Sequence, residues 1–138
     1  MDRYVEHALR LRAIVTPHYN CAQSVLLPFA EEAGLSEAAA MKIAANYGGG
    51  MKMSSVCGTI CGALMVFGLF GVDDPQTIAR FYAWFRSEHD GDMNCGDLLR
   101  NYYEKNSTND KKPFCDGMVA AAVLKVEEIL QEKGLLGS

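Results

Sequence analysis

Of the five cysteines in this chain, four stand in similar local settings, and they are its best candidates for chemistry. Cys21 follows Tyr19-Asn20 in the first turns of a predicted helix. Cys57 lies two or three residues past a predicted Ser54/Ser55 cap. Cys95 directly follows its predicted cap, Asn94, and Cys115 lies two residues after Pro113. A helix start carries unpaired N–H groups and a partial positive charge. Both favour the thiolate, which is the reactive and metal-binding form of cysteine. Four such starts meeting at one end of a bundle would build a pocket suited to thiolates, with N–H donors to tune a bound iron–sulfur cluster. Each cysteine taken alone reads more readily as a small buried hydrophobe; the repetition is what points to a site.

The spacings narrow the chemistry. Neither Cys-x-x-Cys nor a ferredoxin spacing occurs, so a thioredoxin motif and a zinc ribbon are unreadable. Covalent c-type haem is not indicated either. Cys57 and Cys61 are four apart on one helix face, a poor geometry for a disulfide, and Cys61 reads as core. His18, three residues before Cys21, offers a further ligand or an acid–base partner, against the plainer reading of a half-exposed histidine. His7 and His89 have no evident partner. An odd cysteine count without an export signal argues against a disulfide framework and for the cytoplasm. Buried thiols, metal ligands and redox thiols all stay open.

The elements that must position these residues are helical. Apolar residues recur at helical spacing over residues 2–16, 19–33 and 37–47, the second segment containing Pro28, which should kink it. Gly48-Gly49-Gly50 breaks the chain before a nearly all-apolar helix running to about Leu69. Asp73 or Asp74 before Pro75 opens a fifth helix, Asn94 a sixth and Pro113 a last one, which Gly134 ends. No alternating strand pattern, repeat or linker appears. The 138 residues therefore read as one all-α domain, a compact bundle of about six or seven helices. Aromatic residues such as Phe81, Trp84 and Phe85 read as core and rim, the seven methionines as core filler, and Glu127-Glu128 to Glu132 as a solvated face.

Charge and hydropathy set aside two partner classes. The net charge is −4, and no basic stripe interleaved with aromatics suggests nucleic-acid binding. The apolar run from Val56 to Val72 is too short and glycine-rich to predict membrane insertion.

Asn20-Cys21-Ala22-Gln23-Ser24, Gly48-Gly49-Gly50-Met51, Cys57-Gly58-Thr59-Ile60-Cys61-Gly62, Cys95-Gly96-Asp97-Leu98-Leu99 and Cys115 before an apolar helix occur in this order. In that order they resemble the C-GCAxxG-C-C family of redox-active proteins, over about Tyr19 to Ala122. The resemblance maps the family cysteines onto Cys21, Cys57, Cys95 and Cys115. Similar domains occur beside haem domains in split-Soret cytochromes, and that implies an iron–sulfur site on these four. Thr59 departs from the alanine the family prefers after Cys-Gly. Cys61 falls where the family reserves no cysteine, which leaves it as an extra ligand or a resolving thiol.

Gly58 and Gly62 lie four apart on the central helix, where glycine costs about 1 kcal/mol relative to alanine. Tight helix packing or the approach of a bulky cofactor would compensate, and the second reading makes them candidate cofactor contacts. Gly48 to Gly50 with Met51-Lys52-Met53 reads as a backbone turn beside the cysteines; it lacks the spacing of a nucleotide loop.

Three functions follow. The first is electron transfer or redox sensing by a cysteine-ligated iron–sulfur cluster, serving a redox partner protein. The second is thiol–disulfide chemistry, with Cys21 or Cys57 attacking. The third is a structural or zinc-binding module. Whether the chain is an enzyme and whether it forms a homodimer stay open.

Overall fold

Helix signals written locally in the sequence account for most of the architecture. The computed structural model describes residues 2–137. Seven α-helices follow in chain order: α1 (Arg3–Ala13), α2 (Cys21–Ala30), α3 (Glu37–Ile43), α4 (Gly58–Leu69), α5 (Pro75–Glu88), α6 (Cys95–Asn106) and α7 (Lys112–Glu132). The bundle is all-α, as expected. No strand is present among the described residues; one isolated antiparallel bridge joins Val56 to Asn94.

Side-chain caps set several starts. Asn20 and Gln23 form a reciprocal capping box on α2, at 2.8 and 2.9 Å. Ser36 caps α3, and Asp74 accepts from the Thr77 N–H at 2.9 Å at the start of α5. Pro28 does not interrupt α2.

α1 and α2 each end three residues before the ranges expected from the sequence, at Ala13 and Ala30, and two further boundaries differ beside the cysteines. α3 stops at Ile43 rather than Tyr47, because the Asn20 amide takes the Ala44 and Ala45 carbonyls, each at 3.2 Å. α4 is not capped by Ser54 or Ser55. It starts at Gly58, with Cys57 itself at the N-cap. The residues before it form a tight left-handed turn, in which Gly49, Gly50, Met51, Lys52 and Ser54 all have φ between 58° and 64°. Gly50 is fitted to that turn twice over. Its φ favours glycine, and a Cβ there would lie 2.8 Å from the Cys95 Cβ.

α2 and α4 form the closest pair, and α7 packs across both. The core comprises Val25, Leu26 and Phe29 of α2, Ile60, Val66 and Phe67 of α4, Phe81 and Phe85 of α5, and Val119, Val123, Val126, Ile129 and Leu130 of α7. Phe67 and Phe81 meet edge to face at 5.5 Å. Trp84 packs partly buried on this core. The methionines are less uniform than expected. Met118 is buried, but Met51 and Met53 are exposed on the left-handed turn. Glu127 also departs from the expected solvated face: it is buried on α7, while Glu128 and Glu132 are exposed.

Candidate functional site

Each of the four cysteines is placed by a local device. Cys21 is the first residue of α2, held by the Asn20–Gln23 capping box. The Gln23 amide donates onward to the Met41 carbonyl at 2.9 Å, which ties that start to α3. Cys57 and Cys95 sit one residue beyond the two members of the Val56–Asn94 bridge. The Cys57 N–H donates to the Met93 carbonyl at 2.9 Å, and the Cys95 N–H to the Ser55 carbonyl at 2.7 Å. These bonds fasten the starts of α4 and α6 side by side. Cys115 lies in the first turn of α7, its N–H on the Lys111 carbonyl at 2.9 Å.

The four starts converge. Cys21, Cys57, Cys95 and Cys115 line a single cavity of about 80 Å³ between α2, α4, α6 and α7. Its wall also includes Arg12, His18, Asn20, Gly58, Lys111 and Met118. All five cysteines are free thiols. Cys57 and Cys115 are buried, Cys21 and Cys95 half-buried. Cys61 is buried on α4 outside this lining, where burial raises its thiol pKa. His18 is exposed at the rim.

Gly58 and Gly62 let α4 lie directly on α2. A Cβ on Gly62 would meet the Ala22 carbonyl at 2.7 Å and the Val25 Cβ at 2.9 Å. One on Gly58 would meet the Tyr47 carbonyl at 2.7 Å and the Cys21 Cβ at 3.4 Å. Gly58 also lines the cavity, whereas Gly62 faces the backbone of α2.

The thiols are electrostatically unequal. The Cys115 thiol faces the Cys21 sulfur as a hydrogen-bond donor, and that contact, aided by Arg12, Thr59 and Lys111 against the effect of burial, lowers Cys21 to about 6. The same contact, with burial and the Cys21 charge, pushes Cys115 well up. The two share one proton, held on Cys115, with the charge on Cys21. Burial and the Cys21 charge raise Cys57 to about 12, against the opposing influence of the neighbouring Thr59 hydroxyl and N–H. Burial and the same charge raise Cys95. Without a bound cation the cavity therefore favours a single thiolate.

Arg12 is the main counter-charge. Its side chain is only 8% exposed; Nε pairs with Asp116 at 2.7 Å and the guanidinium donates to the Tyr19 carbonyl at 2.9 Å. Sequence reasoning missed it, since Arg12 and Asp116 are 104 residues apart. Lys111 carried a weak signal, standing just before Pro113 and Cys115.

A family model described as "Putative redox-active protein (C_GCAxxG_C_C)" matches residues 19–129, which takes in all four cysteines. The chain belongs to this family. No curated protein and no solved structure matches it. Redox activity is thus the family's description, and the expected resemblance holds. The family assignment and the cavity rest on separate grounds: one is a pattern along the chain, the other a meeting of four helix starts in space. No helix among the described residues is long and apolar enough to cross a membrane.

Proposed function

We propose that this C-GCAxxG-C-C chain is an electron-transfer protein whose four-cysteine cavity holds an iron–sulfur cluster. The observation that carries this reading is the lining of one cavity by Cys21, Cys57, Cys95 and Cys115, each from a different helix start. Thiol–disulfide exchange needs two thiols; four soft donors around a common space match the ligand demand of a cluster. A cluster bound there supplies one-electron storage. The chain's own residues would do the rest. The four sulfurs ligate, Arg12 and Lys111 offset the negative charge of several thiolates, and Leu98, Leu99 and Met118 keep part of the wall apolar.

Among the described residues no group of three or more His, Cys, Asp or Glu side chains is already arranged to hold a metal ion. Either group, zinc with every sulfur about 2.3 Å from one centre or a cluster with the sulfurs around a larger body, would require the four cysteine side chains to close on it.

The test is anaerobic purification, a visible spectrum, and iron and acid-labile sulfide analysis. Broad visible absorption that bleaches on reduction, with matching iron and sulfide, is the expected result. A colourless, iron-free protein after anaerobic reconstitution would overturn it.

One observation favours a second reading, thiol–disulfide exchange: the low pKa of Cys21, about 6, in contact with Cys115. The Cys21 thiolate would attack a partner protein's disulfide and release one partner thiolate. Cys115 would then displace the other by bonding to Cys21, its proton passing to a departing sulfur. Two electrons move to the partner. On this reading Cys115→Ser leaves a colourless protein trapped as a mixed disulfide at Cys21.

A further inference from the structure

Thr59 is the second residue of α4, fully buried, one step past Gly58 and two past Cys57. Its Oγ1 is the buried side-chain oxygen that has no hydrogen-bond partner among the described residues. A threonine in a helix ordinarily turns its hydroxyl to the carbonyl four residues back. Thr59, the second residue of α4, has no carbonyl four residues back within its own helix, and the Ser55 carbonyl before the helix accepts the Cys95 N–H at 2.7 Å. A buried hydroxyl without a partner is destabilising, and alanine or valine would remove that penalty. Alanine is also what the family pattern prefers after Cys-Gly, so the hydroxyl is a particular feature of this chain.

The neighbours of Thr59 give the hydroxyl something to do. Cys57 is the N-cap of the same helix, and the start of α2 is pressed against this turn, where a Cβ on Gly58 would lie 3.4 Å from the Cys21 Cβ. The hydroxyl is therefore buried in the turn that begins at Cys57 and beside the start of α2 that carries Cys21, and donation to either sulfur would favour its charged form. Thr59 lies outside the lining of the cavity. A thiol is a weak acceptor; a thiolate, free or ligated, is a strong one.

We infer that Thr59 is a positioning residue that tunes the redox site: its buried hydroxyl donates to the Cys21 or Cys57 sulfur when that sulfur carries negative charge, and so raises the reduction potential. The sign follows from charge. Reduction makes a cluster, or a disulfide opened to thiolates, more negative at sulfur, and a donor stabilises that state. The inference rests on the four-cysteine site being redox-active, and it takes the same sign for a cluster or a dithiol.

The experiment compares wild type with Thr59→Val, Thr59→Ala and Thr59→Ser by redox titration of the anaerobically prepared protein. Thr59→Val and Thr59→Ala are expected to shift the reduction equilibrium about tenfold toward the oxidised state, about 59 mV for a one-electron couple. Thr59→Ser should stay near wild type. Urea denaturation of the metal-free forms supplies the opposing readout, since Thr59→Val should be at least as stable as wild type. A merely structural threonine would alter stability and leave the potential in place. If iron and sulfide analysis shows no cluster, the same variants are titrated as a dithiol in glutathione buffers, and the same downward shift is expected. Equal potentials for Thr59→Val and wild type, or an equal shift in Thr59→Ser, would overturn the role of Thr59 whichever redox group the site holds.

Discussion

At the scale of single residues, the cavity is asymmetric. Cys21 and Cys115 are chemically identical side chains whose surroundings drive them apart. Cys21 has a thiol donor and nearby cations; Cys115 has a neighbouring anion and burial. In reduced, metal-free protein, Cys21 should therefore alkylate with a pH midpoint near 6. Cys57, raised to about 12, should stay slow through neutrality. Cys115→Ala removes the largest favourable contact and should move the Cys21 midpoint upward. Iodoacetamide incorporation followed by peptide mass spectrometry across pH reads both effects. A Cys21 midpoint unchanged in Cys115→Ala would show that the contact does not control it. Much of this asymmetry is illegible in the sequence, because the residues that cause it lie on other helices.

At the scale of elements, the site depends on how closely α4 approaches α2. Gly62 sets that distance, since any side chain there meets the Ala22 carbonyl and Val25. Gly62→Ala should cost about 1–3 kcal/mol through overpacking, seen as a lower urea midpoint with an unchanged slope. Gly117 on α7 provides the contrast, because a Cβ there meets nothing within 4 Å. Gly117→Ala should be neutral or stabilising by up to about 1 kcal/mol, since alanine favours the helix. The start of α5 at Pro75 and the final helix were legible, because caps and proline act within a few residues, whereas the Asn20 cap of α2 was read as part of the helix itself. The start of α4 was not legible. Ser54 and Ser55 have the composition of caps, but the left-handed turn and the pairing of Ser55 with Cys95 commit them elsewhere.

At the scale of the whole molecule, charges from distant segments meet. Asp116 in the first turns of α7 pairs with Arg12 near the end of α1 and fixes a cation beside the thiols. Glu127, further along α7, packs near Asp2. Burial, then the hydrogen bond and charge of Asp2, raise Glu127 from 4.5 to about 7. A carboxyl whose folded pKa is raised favours folding fully below its unfolded value. That contribution is lost as pH rises through the folded value. This group should therefore make the protein less stable at pH 8 than at pH 5. Glu127→Gln keeps a neutral hydrogen-bonding side chain and should remove that loss, stabilising the fold at pH 8 and changing it little at pH 5. Urea unfolding at the two pH values measures the difference. An undiminished loss in Glu127→Gln would assign the pH dependence to other groups.

The helices, some of their caps, the family, and the position of four cysteines near four helix starts are readable along the chain alone. These are local properties, encoded in periodicity, in a few capping residues and in a pattern along the chain. The packing of the chain brings the four starts together, makes the surroundings of Cys21 favour its thiolate and those of Cys57 oppose it, and sets Arg12 and Lys111 in the cavity wall. The reason is physical. Helix formation depends on neighbours a turn away, whereas the charge on a thiol depends on every group packed against it, and those groups come from segments up to 104 residues apart.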